Sequence, residues 1–138
     1  MSEYIQTDYA LPIPVLHVSI GNSDDTPWLG PLDGIVDTGA DITMIPLNII
    51  ARVNAPSLQE GYLRSAWGSD SRITFFIVNL QIEQLRFSGV QVASNESIDE
   101  IILGRNVLNK LPLFLDGPKQ QTEILDDATA KRLRDRRG

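Results

Sequence analysis

A short apolar run that ends abruptly in an acid places the tightest limits on this chain. Gly34-Ile35-Val36 drives into Asp37-Thr38-Gly39-Ala40-Asp41, and Ile42-Thr43-Met44-Ile45 leaves again. The pattern reads as a buried strand, a tight polar loop and a second apolar segment. A carboxylate at the end of a hydrophobic strand loses solvation, so its ionisation is costly unless hydrogen bonds or a shared proton compensate. That placement is how a side chain becomes a usable acid or base near neutral pH. Asp37 is therefore the first candidate for chemistry, and a turn capped by Asp37 in an ordinary β domain is the competing reading.

A second run, Ile101-Ile102-Leu103-Gly104-Arg105-Asn106, follows some sixty residues later, with a glycine-containing hairpin candidate between the two. The pair, in this order, resembles the two signatures of retropepsin-like aspartic proteases. The resemblance spans about Val15 to Leu125 and is nearest in pattern to bacterial and ubiquitin-shuttle members. It implies a mostly β fold: a closed β-barrel with a flap hairpin and one short helix, homodimeric through a sheet built from a C-terminal hairpin.

Length and composition narrow the chemistry independently. A chain of 138 residues makes one domain with one core, and it carries one Asp-Thr-Gly loop, so a second chain has to supply a second carboxylate. There is no cysteine, which removes disulfides and thiolate nucleophiles. His17 is the only histidine, which removes Ser-His-Asp and multi-histidine metal arrangements. We expect no metal and no organic cofactor; a metal-dependent hydrolase using Asp24, Asp25, Asp37 and Asp41 is the weaker alternative. The net charge of −6 argues against nucleic acid. Met1 to Gln6 lacks the pattern of a secretory leader, and no apolar run approaches the roughly 20 residues of a bilayer span. A soluble, cytoplasmic protein is expected.

Along the chain, residues 1–14 form an arm whose Pro12 and Pro14 keep it at an edge or outside the sheet. The protease domain is expected over 15–125. Val15 to Ile20 alternates as a half-buried strand, with His17 on its solvent face. Trp28 and Leu29 are expected to pack back on the core. Leu32 to Val36 and Thr43 to Ile45 flank the Asp37 loop, and Leu47 to Arg52 fits a short helix or an irregular strand. Tyr62 to Arg72 reads as a projecting hairpin, Ile73 to Ile82 as a strand rich in β-branched and aromatic residues, and Glu83-Gln84 as the turn to Leu85. Gly89 is expected to separate Leu85–Phe87 from Val90–Ala93. Gly104 opens a short helix that Pro112 stops. Leu113–Leu115 and Gln121–Leu125 flank a turn, and 126–138 is a charged tail or short helix.

Peptide hydrolysis without metal, serine or cysteine needs one group to take a proton from water and another to give one to the carbonyl oxygen. Two carboxylates close enough that only one ionises can do both. With one Asp37 per chain, a two-fold axis through the site brings two together. By resemblance, Thr38 holds the two loops together across that axis. Gly39 is expected to permit a backbone shape closed to residues with a Cβ and to let the loop approach its symmetry mate and the substrate. Asp41 is matched to Arg105, whose guanidinium can clamp a carboxylate through two parallel hydrogen bonds; Asn106 supports the same segment. By the same resemblance, Ile35 and Ile102 are expected to line apolar pockets for substrate side chains; otherwise they are core. Ala66, Trp67 and Gly68 lie near the tip of the flap that closes over an extended peptide or protein substrate. The expected function is a homodimeric aspartic endopeptidase; the rival is a non-catalytic dimerisation or peptide-binding module on the same fold.

Overall fold

The computed structural model describes residues 1–6, 8–22, 28–64 and 70–136. The chain runs β1 (Ser2–Glu3), β2 (Val15–Gly21), β3 (Leu29–Val36), β4 (Thr43–Met44) and α1 (Leu47–Arg52). It continues with β5 (Ser57–Arg64), β6 (Asp70–Ile82), β7 (Leu85–Ser94), β8 (Ile101–Leu103) and α2 (Arg105–Leu108). It ends with β9 (Leu113–Asp116), β10 (Gln121–Ile124) and α3 (Asp127–Asp135).

Six strands close on themselves in the order β2-β3-β8-β4-β7-β6, and Val18–Gly21 pairing with Asn79–Ile82 completes the circuit. Closure satisfies the backbone without leaving edges. Two of the pairings, β3 with β8 and β4 with β7, are parallel. They set the strand that leads into Asp37 beside the strand that leads into Gly104.

The core follows from strand alternation. Leu16, Val18 and Ile20 of β2 have no solvent exposure, whereas His17 between them is exposed. Val78, Leu80 and Ile82 of β6 and Val90 and Val92 of β7 fill the same interior with Ile101 and Leu103. Ile50 and Val53 from the α1 segment and Val107 and Leu108 of α2 complete this core. Each fully buried aliphatic side chain of this kind stabilises the fold by about 1.5–3 kcal/mol. Leu29 packs against this core, and Trp28 is partly buried with its indole against Gly21 and under the Arg86 guanidinium, 5.1 Å from the ring centroid.

Several expectations need correction. Among the described residues there are three short helices rather than one: Leu47–Arg52 resolves as α1, and the C-terminal segment forms α3, capped by Asp126, whose side chain accepts from the Thr129 amide at 2.7 Å. Gly89 does not divide two strands. It sits inside the continuous β7 at φ 66, where the register shifts between Val78 and Leu80, and Asn79 Oδ1 accepts from its amide at 3.0 Å. A bulge absorbs the extra residue, and glycine takes the left-handed conformation at no steric cost. The N-terminal arm lies at an edge, as expected, with β1 the edge strand of a separate sheet, β1-β10-β9. That small sheet exposes Phe114 and Leu115. No described helix is long and apolar enough to cross a membrane.

Candidate active site

Parallel pairing of β3 and β8 brings the two sequence signatures side by side. Gly34 lies opposite Ile101, Ile35 opposite Ile102, and Val36 opposite Leu103. The ladder continues one step further, where the Asp37 amide donates to the Leu103 carbonyl at 3.1 Å. The chain then turns sharply, with the Ala40 amide donating to the Asp37 carbonyl at 3.2 Å. Asp37 is half-buried at this corner, while Thr38 and Gly39 form an exposed rim.

The Asp37 carboxylate accepts from the Gly39 amide at 2.9 Å. The Gly39 backbone is outside the left-handed region, so the expected conformational reason for glycine is wrong. Space is the reason: a Cβ there would stand 3.1 Å from Asp37 Oδ1 and crowd the carboxylate.

Arg105 supports the loop from beneath. Its amide donates to the Ala40 carbonyl at 2.8 Å, its Nη1 to the Thr38 carbonyl at 2.7 Å, and its Nη2 to Asp41 Oδ1. The guanidinium fork is therefore split between a carbonyl and a carboxylate, instead of gripping the carboxylate with both N–H groups. Asp41 is 85% exposed and Arg105 41%, so the ion pair itself contributes at most about 1 kcal/mol to stability. Its geometric effect is larger, because it holds Thr38 and Asp41 on either side of Gly39.

Asn106 does more than its place in the sequence suggested. Its Oδ1 accepts from both the amide and the hydroxyl of Thr43 at 2.9 Å, and its Nδ2 donates to the Gln91 carbonyl at 2.8 Å. Thr43 Oγ1 in turn accepts from the Gly104 amide at 3.0 Å. Thr43 has no solvent exposure and was not singled out from the sequence. Its signal was a lone hydroxyl inside the apolar run Ile42-Thr43-Met44-Ile45.

Ile35 and Ile102 stand apart from the interior cluster that holds Val36, Ile101 and Leu103. They belong to the outer side of the barrel wall. Register partners extend the row from Val15 through Ile35, Ile102, Met44 and Ala93 to Phe75. This apolar strip runs from beside the Asp37 loop to the base of the β5–β6 hairpin, where Phe75 lies under Gly61. Ala66, Trp67 and Gly68, expected at the tip of that hairpin, lie outside the described residues, as do Asp24 and Asp25. Among the described residues, no group of three or more His, Asp or Glu side chains is placed to hold a metal ion.

A sequence profile described as "gag-polyprotein putative aspartyl protease" matches residues 30–110, which takes in both signatures and more than half the chain. The chain belongs to this aspartyl protease family. Two solved structures share the fold. EIAV protease, complexed with the inhibitor HBY-793, is 18% identical, with a TM-score of 0.57 over 77% of this chain and 93% of its own. The retroviral protease-like domain of Ddi1 from Leishmania major is 15% identical, with a TM-score of 0.50 over 81% of this chain and 89% of its own. No curated protein matches the sequence. The retropepsin-like resemblance and the mostly β, closed-barrel fold of this aspartyl protease family member are thus borne out.

Proposed function

We propose that this chain is an aspartic endopeptidase that acts as a homodimer, with one Asp37 from each subunit. The observation that carries the reading is the corner at Asp37. A half-buried carboxylate is presented at the end of a barrel strand, oriented by the Gly39 amide, on a loop fixed by Arg105 and flanked by an apolar strip.

Each step of the chemistry then has a group to perform it. Two such carboxylates, brought together by a two-fold axis, cannot both ionise, so they share one proton. The ionised member takes a proton from water as the water oxygen attacks the peptide carbonyl. The protonated member gives its proton to the developing oxyanion. As the C–N bond of the tetrahedral intermediate breaks, the member that took the water proton gives it to the leaving nitrogen while the ionised member takes a hydroxyl proton from the intermediate, so acid and amine are released and the dyad again holds one shared proton. Thr38, on the exposed rim, would steady the loop across the axis. Ile35 and Ile102 would receive apolar substrate groups, Asp41 would line the cleft, and the hairpin carrying Ala66, Trp67 and Gly68 would cover an extended peptide.

The β1-β10-β9 sheet would supply much of the dimer contact, since Phe114 and Leu115 expose apolar surface there. The reading needs no cofactor and includes a cytoplasmic location, which cell fractionation tests.

The decisive experiment is digestion of a randomised peptide library by the purified protein beside Asp37→Asn, with mass followed by light scattering. The expected result is cleavage by a dimer that falls about 10³-fold or more in the variant, in keeping with loss of general acid–base catalysis. A folded dimer that binds peptides without cutting any would instead make the chain a peptide-binding module.

A further inference from the structure

The N-terminal loop reaches across the strand that carries Asp37 to the strand beside it. Ile5 and Ile13 bridge through reciprocal backbone bonds of 3.0 and 2.7 Å, closing a loop that contains Tyr9. The loop feeds directly into β2 alongside the catalytic strand, because the Pro14 carbonyl accepts from the Val36 amide at 3.0 Å and Val15 lies opposite Ile35. From this anchorage the Tyr9 hydroxyl donates to Glu100 Oε1, on the residue before β8. Since β3 lies between β2 and β8, the loop must cross the face of β3. Ile35 and Ile102 mark the outer face, the one turned away from the core. Glu100 is exposed at the bend that leads into β8, two residues before Ile102.

We infer that Glu100, positioned by Tyr9, makes the substrate surface beside Ile35 and Ile102 select a lysine or arginine side chain. The inference rests on the proposed reading of this cleft as the substrate site. Lysine and arginine carry an aliphatic stem that packs on apolar surface and a cationic head that stays polar. Half-buried Ile102, beside the buried Ile35, offers the first environment and the exposed Glu100 the second. A carboxylate accepts through both oxygens, so the bond from Tyr9 to one leaves the other for a ligand cation.

Tyr9 is suited to a fixed donor role. Partial burial, then the hydrogen bond and charge of Glu100, with smaller effects of Asp99 and Asp8, push its phenol up to about 12. It therefore stays protonated across any working pH. A purely apolar cleft would favour norleucine, which has the same stem without the charge, as much as lysine.

The test uses full-length Asp37→Asn protein and short peptides that differ at one residue, scanned through the four central positions as lysine, norleucine or glutamate. Binding is followed by fluorescence anisotropy. At one position, lysine is expected to bind at least tenfold more tightly than norleucine, with glutamate weakest. Adding Glu100→Gln should bring the lysine-to-norleucine ratio to within twofold of one, and Glu100→Arg should turn the preference to glutamate. Tyr9→Phe should shrink the ratio while the thermal midpoint holds, a pattern that a merely structural tyrosine would not give. Equal binding of lysine and norleucine, no binding of either, or a ratio indifferent to both Glu100 variants overturns the inference. Turnover of the same peptides by the unsubstituted protein is scored separately. Cleavage without the preference defeats the inference alone, and the preference without cleavage defeats the endopeptidase reading alone.

Discussion

Asn106 holds Thr43 through a single oxygen, which accepts both the amide and the hydroxyl of that residue at 2.9 Å. Neither donor can reach water, because Thr43 is fully buried. Asn106→Ala leaves them stranded, and a buried unsatisfied group costs about 1–3 kcal/mol. For a domain of this size, that corresponds to a fall in Tm of roughly 3–10 °C. Thermal unfolding followed by circular dichroism checks the value; an unchanged Tm would mean that this bond does not tie α2 to β4.

Arg105→Lys separates stability from loop geometry. The exposed ion pair with Asp41 is worth at most about 1 kcal/mol, so Tm should move by only a few degrees. A point-like ammonium cannot serve the Thr38 carbonyl and the Asp41 carboxylate as a planar fork does. The proposed peptidase activity should therefore drop at least tenfold, mainly in kcat. A loss of stability that tracks the loss of activity would make Arg105 a simple folding residue.

Two glycines should respond oppositely to alanine. At Gly104, a Cβ would stand 2.5 Å from the Ile42 carbonyl carbon and 2.6 Å from its oxygen, and backbone cannot swing aside. Overpacking of this kind costs about 1–3 kcal/mol, so Gly104→Ala should unfold measurably earlier in urea. At Gly39, the added atom meets only the Asp37 carboxylate at 3.1 Å. Gly39→Ala should keep its denaturation midpoint and lose activity.

The third helix should respond to acid. The backbone hydrogen bond from Thr129 holds the Asp126 carboxyl below its ordinary value, with a further side-chain bond from Thr129 and the charge of Arg132 acting the same way. A depressed carboxylate adds stability that is complete above its unfolded pKa and disappears as pH falls through the folded one. Below about pH 4 the start of α3 should therefore fray, which amide NMR shifts at Thr129 and Ala130 would report. Asp126→Asn should flatten that transition, since asparagine caps without titrating.

The closed barrel and the neighbouring signatures were legible because they rest on periodicity and on short motifs. Alternation at Leu16, Val18 and Ile20 marks a barrel wall directly, and the apolar entry to Asp37 marks a strand ending in a polar corner. What escaped was non-local. The role of Thr43 depends on Asn106, which is 63 residues away, and no local pattern links them. Gly89 looked like a strand end because a glycine in a short-range pattern reads as punctuation, whereas the partner strand turns it into a bulge. The split fork of Arg105 needed the Thr38 carbonyl, and a backbone oxygen leaves no trace in side-chain identity.

The long strand β6 spans thirteen residues and has a different neighbour at each end. Asn79 to Ile82 closes the barrel against β2, and Thr74 to Ile82 is laddered to β7, but outward from Arg72 only β5 accompanies it among the described residues. Mechanically, the hairpin is a cantilever clamped at Thr74, and the clamp is the same strand that seals the cylinder. β5 and the outer end of β6 lie outside the closed circuit, much as a tool stands clear of its chuck. A break near Val78 would cost the chain its hairpin and its closure together.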